Sequence, residues 1–291
     1  MGTILWSLGV GVFIGSLLWT IRSNLTGYDT ATGKTNIERQ PIDRLANGFI
    51  PFAFIYLIIG TYETLAIYTG LPLLYDGYPP RVTHLLGAGT AGLLIFTLGF
   101  RPLPRFLVAS PPRMLVVLVL PAGTLGPILL ATHFGGNFWF QLGALLEAIA
   151  VTGFAIGVGL LFIQSERRRV GFYGILAGAI SGVVAVVIGL WFVFNQQSSA
   201  LVLVHLRLNP LGFLGLTIIG ISYQFYPPAA GTVRGASNRT ALISIAGLVS
   251  GLLVQVIGLG GNIPLLTTLG QLLTLGDTLL YAFLIITVFT R

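Results

Sequence analysis

The chain has 291 residues, of which 55% are hydrophobic and only 8% charged, with a net charge of +7 and a mean hydropathy of +0.92. A soluble domain carries roughly 25% charged residues, so this composition excludes a water-soluble enzyme and points to a bilayer. The absence of cysteine excludes disulfides, thiolate metal sites and cysteine nucleophiles, and with only Met1 and Met114 thioether ligation is nearly excluded as well.

Each membrane helix needs about 20 mostly apolar residues. Nine such stretches follow one another, over 3–21, 48–70, 83–101, 114–133, 138–163, 172–194, 199–222, 240–259 and 266–289. The expected fold is all-α, a polytopic transmembrane helix bundle of about nine spans forming a single domain over 1–291, with a polar loop at about 22–47. Its first span has no positive leader region and reads as retained rather than cleaved. The short breaks Gly135-Gly136-Asn137 and Asn195-Gln196-Gln197-Ser198 predict helical hairpins. Pro121 and Pro127 mark the fourth span as a place for a helix break, as in transporters. The 39 glycines suit close helix packing.

Every Lys and Arg except Arg81 and Arg207 falls in an odd-numbered loop or at Arg291. The positive-inside rule then puts the N-terminus outside and the C-terminus in the cytoplasm, in a cell membrane expected to be a prokaryotic cytoplasmic one. The net positive charge is therefore topological, and no nucleic-acid partner is expected. Gly27 to Thr35 imitates a phosphate-binding loop, but five residues separate its glycines where four are needed, and no strand precedes it. It reads as a polar cytoplasmic loop.

Three histidines are present, His84, His133 and His205, and the topology puts all of them toward the outer side. In the third and seventh spans a glycine, Gly99 or Gly220, stands fifteen residues after the histidine, and a pair of prolines follows, Pro102 and Pro104 or Pro227 and Pro228. The two spans run parallel, four apart in order, as in an internal duplication. Such a pair can bring one neutral imidazole to each side of a porphyrin. Gly87, Ala88 and Gly92 near His84, and Gly212 and Gly215 near His205, leave room for a flat ring or for ordinary helix packing.

The segment from Leu203 to Phe213, LVHLRLNPLGF, with Gly220, Tyr223 and Pro227-Pro228 after it, resembles spans of haem-copper oxidase catalytic subunits and their relatives. The stretch from His84 to Leu103-Pro104-Arg105 is similar, so the likeness covers two of nine spans. It implies b-type haem held by His84 and His205, with His133 as a third candidate ligand. The family's copper site requires three further histidines, including an adjacent pair, and position 207 is arginine where a His-x-His pair is common. What the resemblance implies is therefore a haem protein without a binuclear copper centre. Read without the resemblance, the three histidines hydrogen-bond neighbouring helices or hold a bare metal ion, although no i, i+3 or i, i+4 pair exists.

Glu63, Glu147 and Asp277 fall within predicted spans, where carboxylates are costly and functional by default. Arg81 and Arg207 are expected either to pair with Glu63 or Glu147 and so hold helices together, or to bind outward-facing haem propionates. Asn209 shares a helix face with His205 and is expected to orient it. Three functions remain open: a b-type haem protein for electron transfer or gas or haem sensing, with a redox partner; a transporter or channel using the intramembrane carboxylates; and a structural subunit packed against other membrane subunits or further copies of itself.

Overall fold

The structure, a computed structural model, describes residues 1–30, 32–231 and 233–290, apart from the side chain of Thr35. Arg291, which closes the positive-charge pattern, and Ala31 of the glycine-bounded loop lie outside the described residues. Among the described residues all regular structure is helical, and nine helices are long and apolar enough to cross a bilayer. These are α1 (Gly2–Ile21), α2 (Gln40–Thr69), α3 (Pro79–Leu107), α4 (Arg113–Thr132), α5 (Phe138–Gln164), α6 (Val170–Phe194), α7 (Ser199–Ala230), α8 (Asn238–Gly260) and α9 (Pro264–Phe289). The chain is a multi-pass membrane protein. Large apolar side chains on its outer surface, such as Leu8, Val12, Ile163, Val187 and Leu265, are exposed as lipid contact requires.

The sequence sets the ends of these helices. Gly135 and Gly136 both take positive φ, +129° and +101°, which a side chain resists, and this tight turn joins α4 to α5. The Ser198 hydroxyl accepts from the Leu201 amide and caps α7, and Ser237 caps α8 through the Thr240 amide. Pro264 starts α9 in its first turn, where a missing N–H costs nothing.

The chain forms two compact units. The first comprises residues 1–105 and 110–154, the second 106–109 and 155–291, so α5 contributes to both. The two units share one plan. In the first, α3 packs on α2 and α4; in the second, α7 packs on α6 and α8. α3 turns π-helical over His84–Gly92, and α7 does so over Leu208–Leu216. The wider turn in α7 follows from Pro210, which has no N–H to give to the ladder. In α3 it is lined by Gly87, Gly89 and Gly92. The likeness between the third and seventh spans thus extends to a local geometry that is rare in proteins and frequent at functional sites.

α4 does not break at its prolines. It stays helical from Arg113 to Thr132 with Pro121 and Pro127 inside.

Candidate functional site

The first unit carries a polar cluster at the end where α2 meets α3 and α4 meets α5. Glu63 is buried on α2, and its two carboxylate oxygens accept from the amides of Leu74 (2.9 Å) and Tyr75 (3.2 Å). It therefore pins the 71–78 loop against the helices. Burial, and then the nearby Glu63 carboxylate, push the Tyr75 phenol above its ordinary value, so it stays protonated.

Arg81 does not reach Glu63 or Glu147 as the sequence led us to expect. Its Nε and Nη2 donate to the two oxygens of Asp76, at 2.8 and 3.0 Å. Nη1 donates to the Ala131 carbonyl at 2.5 Å and Nη2 also to the Phe134 carbonyl at 3.3 Å. Asp76 escaped attention because it lies in a loop, five residues before Arg81, where a carboxylate carries no cost to flag it.

The Arg81 guanidinium, and then the Tyr78 amide, hold the Asp76 carboxyl below the ordinary carboxylate range. A depressed carboxyl contributes stability that is present in full above its unfolded value of about 3.9 and is lost as pH falls through the lower folded value. Asp76→Asn should therefore melt below the parent protein at neutral pH. The gap should close as the pH is lowered through the acid range. Thermal midpoints taken in detergent from pH 7 to pH 3 test this, and a constant gap would rule the linkage out.

His84 begins the π-helical segment. Its Nδ1 lies 2.7 Å from the Pro80 carbonyl. A carbonyl only accepts, so Nδ1 carries the proton and the lone pair sits on Nε2. The ring lies 5.6 Å from that of Phe134, which also meets Tyr78 and Phe140. His133 closes α4, with Nδ1 2.7 Å from the Thr132 hydroxyl and its ring against Trp139.

In the second unit His205 has the same chemistry. Its Nδ1 lies 2.9 Å from the Ala185 carbonyl of α6, which fixes the proton on Nδ1 and the lone pair on Nε2. Phe192 meets the ring edge-on at 5.8 Å, and Gly189 leaves the space the imidazole occupies. Asn209 does not orient the ring. Its amide donates to the His205 carbonyl, 2.9 Å away, because a residue four positions on meets the main chain of its own helix first. Arg207 follows at the end of the α-helical turn, half-buried, with no ion pair among the described residues. An apolar groove of about 450 Å³ lies beside Leu201, one turn before His205, lined also by Val187, Ile188, Leu190, Trp191 and Phe194.

The other two acids of the spans take separate positions. Asp277 on α9 packs onto Gly247 of α8, and its carbonyl accepts from Ser244. Glu147 on α5 is 8% exposed, and its Oε1 is buried with no hydrogen-bond partner among the described residues. It lies against Gly126 of α4, whose missing side chain makes room for it. The Tyr56 hydroxyl of α2 donates to the Thr124 carbonyl of α4. Tyr56 thus ties α2 to a main-chain carbonyl of α4. Gly89 of the π segment receives the Tyr56 ring. Sequence reading passed over Tyr56, although Tyr56, Gly60 and Glu63 recur at helical spacing on one face of α2.

No three His, Cys, Asp or Glu side chains converge on a common metal position among the described residues. A bare metal ion thus finds no ready cage there, whereas a haem needs only one or two axial imidazoles. The donor chemistry fits that second requirement: a metal-ligating histidine usually gives its other ring N–H to a carbonyl or carboxylate, as His84 and His205 both do. Compared with protein-family models, with curated proteins and with solved structures, the chain matches none.

Proposed function

We propose that this is a membrane b-type haem protein, an electron carrier or a sensor of haem or gas, without a copper centre. One observation carries the reading. His84 and His205, at corresponding places in two similarly built units, both hold their Nδ1 proton on a main-chain carbonyl and turn the lone pair to Nε2. Neutral imidazoles in that tautomer are competent axial ligands. Both stand beside a π-helical segment, rich in small residues next to His84 and carrying Gly212 and Gly215 next to His205, which also stands near an apolar groove.

A bound haem would supply a one-electron couple or a gas-binding iron. The chain's own residues would supply the rest: His84 an axial ligand in the first unit, with His133 a further candidate there, and His205 an axial ligand in the second, with Arg207 the charge for a propionate. Arg81 is already committed to Asp76 and two carbonyls. With the positive loops in the cytoplasm these groups would face the outer side of a prokaryotic membrane, where a redox partner would dock. A transport role is favoured by a separate observation, the unpaired Glu147 carboxyl.

The test is an optical spectrum of the purified protein from haem-replete cells, oxidised and then dithionite-reduced, with a pyridine haemochrome assay. The expected result is a Soret band with split α and β bands on reduction, lost or shifted in His84→Ala and in His205→Ala. A folded, monodisperse but colourless protein would overturn the reading.

A further inference from the structure

We propose that Arg39 and Arg101 form a binding site for an anionic phosphate group, at the end of the first unit away from His84. The site is independent of the haem reading. His84 and Arg101 stand near opposite ends of α3, roughly 25 Å apart along the helix at about 1.5 Å per residue.

The two guanidinium groups line a narrow crevice. Arg39 and Asp43 come from the start of α2, Phe100, Arg101 and Pro104 from the last part of α3, and Ser110 from just before α4. The charge in its wall is unbalanced. Asp43 is buried and already committed, since its Oδ2 accepts from Arg105 at 2.6 Å and from the Thr32 hydroxyl at 2.6 Å. Arg105 thus cancels Asp43. Arg39 meets Glu38 at 3.6 Å, but Glu38 is exposed, and water and salt screen such a pair. Arg101 makes no ion pair among the described residues. Its Nη2 donates to the Thr30 carbonyl at 3.4 Å, and its Nε is buried with no hydrogen-bond partner among them. A buried donor of a charged group left unpaired is costly, so the arrangement favours an acceptor of opposite charge.

The glycine-bounded loop after α1 braces these arginines. Asn47 donates to the Gly27 carbonyl and the Arg44 guanidinium lies over the Tyr28 ring, which pins the loop to α2. Thr30 then reaches Arg101, and Thr32 reaches Asp43 and Arg105. The stretch that imitates a nucleotide loop in sequence so holds two arginines of α3 in place.

Shape narrows the ligand. The crevice measures about 10 Å³, room for about one oxygen atom. A ligand must reach in with a single anionic oxygen and keep its bulk outside, as a tetrahedral phosphate does, and guanidinium groups match phosphate oxygens in geometry and charge. The rest of the wall is apolar, with Phe100 and Pro104 buried. α3 gives way to α4 here, so the crevice opens at the level of lipid headgroups, and basic pockets between spans take anionic headgroups there. Free phosphate offers the same oxygen.

The experiment measures thermal midpoints of the intact, delipidated protein in uncharged detergent. Phosphatidylglycerol, phosphatidylcholine or inorganic phosphate is added, the last against chloride at equal ionic strength, and native mass spectrometry counts bound lipid. The expected result is a saturable rise with phosphatidylglycerol, with one lipid retained, and little rise with phosphatidylcholine. A rise with inorganic phosphate as well would identify the free ion as a ligand; a rise with phosphatidylglycerol alone would identify the headgroup. Arg101→Gln should weaken binding about tenfold, the worth of one charge-assisted hydrogen bond. Arg234→Gln, on an exposed loop of the second unit, should leave it unchanged. Should Arg101→Gln fail to fold, judged by size exclusion, Arg101→Lys carries the same test, since it keeps the charge and loses the fork. Three results would overturn the proposal: no response to phosphatidylglycerol or phosphate, equal responses to both lipids, or equal losses at Arg101 and Arg234, the mark of general charge attraction.

Discussion

Gly171→Val and Gly220→Val should each cost the second unit about 3 kcal/mol of stability. α6 and α7 meet backbone to backbone. A Cβ on Gly171 would be driven onto the Gly220 carbonyl oxygen and 2.6 Å from the Gln224 amide, and a Cβ on Gly220 would stand 2.5 Å from the Gly171 carbonyl. Gly174, one turn on, has Gly220 Cα at 3.1 Å from its own missing Cβ, and Gly178 has the Thr217 amide at 2.9 Å. A flexible side chain gives way to an added methyl group at small cost; a helix backbone moves only with its helix. Overpacking a tight interface costs about 1–3 kcal/mol, and these positions should lie at the top of that range. Between apolar helices in lipid, close approach is itself the main source of association, so widening the gap forfeits contact along the whole seam. Thermal midpoints and monodispersity in detergent test this against Gly159→Val and Gly276→Val, which meet nothing within 4 Å. If Gly171→Val melts with those controls, the seam does not hold the unit together.

The nine spans were legible because hydropathy is a sum over twenty residues and tolerates local detail. Predicted and observed ends agree within a few residues for α1, α4, α5, α6, α8 and α9. α2 and α3 start earlier than expected, because Asp43 is buried inside the fold and Pro79 sits in a first turn where helices accept it, and short helical turns begun by Pro102 and Pro228 follow the expected ends of α3 and α7. The glycine turn at 135–136 was legible for the same local reason that φ is positive there. What the sequence withheld depends on neighbours. A π register in α3 has no residue code beyond its glycines. The bond from Tyr56 to the Thr124 carbonyl needs two helices at a fixed offset. Glu63 was legible as an acid within a span, but its hydrogen-bond donors, the amides of Leu74 and Tyr75, have no side-chain signature. Asp43 was read as part of a solvated loop, yet it is buried and takes the Arg105 guanidinium at 2.6 Å, a pairing across 62 positions that only the fold brings together.

Arg81→Ala should be the most damaging change outside the glycine seam. One guanidinium ties three pieces of chain: Asp76 in the loop before α3, the Ala131 carbonyl in the last turn of α4, and the Phe134 carbonyl just past it. The last carbonyls of a helix have no partners within it and carry the negative end of its dipole, so a cation there both satisfies and neutralises them. The exposed Asp76 contributes little to the total, as surface ion pairs do. The bonds to the half-buried carbonyls are charge-assisted, worth about 1.5–3 kcal/mol each when removed, so a net loss of about 2–3 kcal/mol is expected. Lysine has one nitrogen for four acceptors and cannot reproduce the planar fork. Arg81→Lys should therefore recover less than half of what Arg81→Ala loses, whereas a role for charge alone would let lysine recover nearly all of it. Hydrogen exchange at residues 72–78 and 132–137 would separate the two accounts. Loss of the fork should speed exchange on both sides of it in both variants, while a purely electrostatic role would leave the lysine variant as protected as the parent.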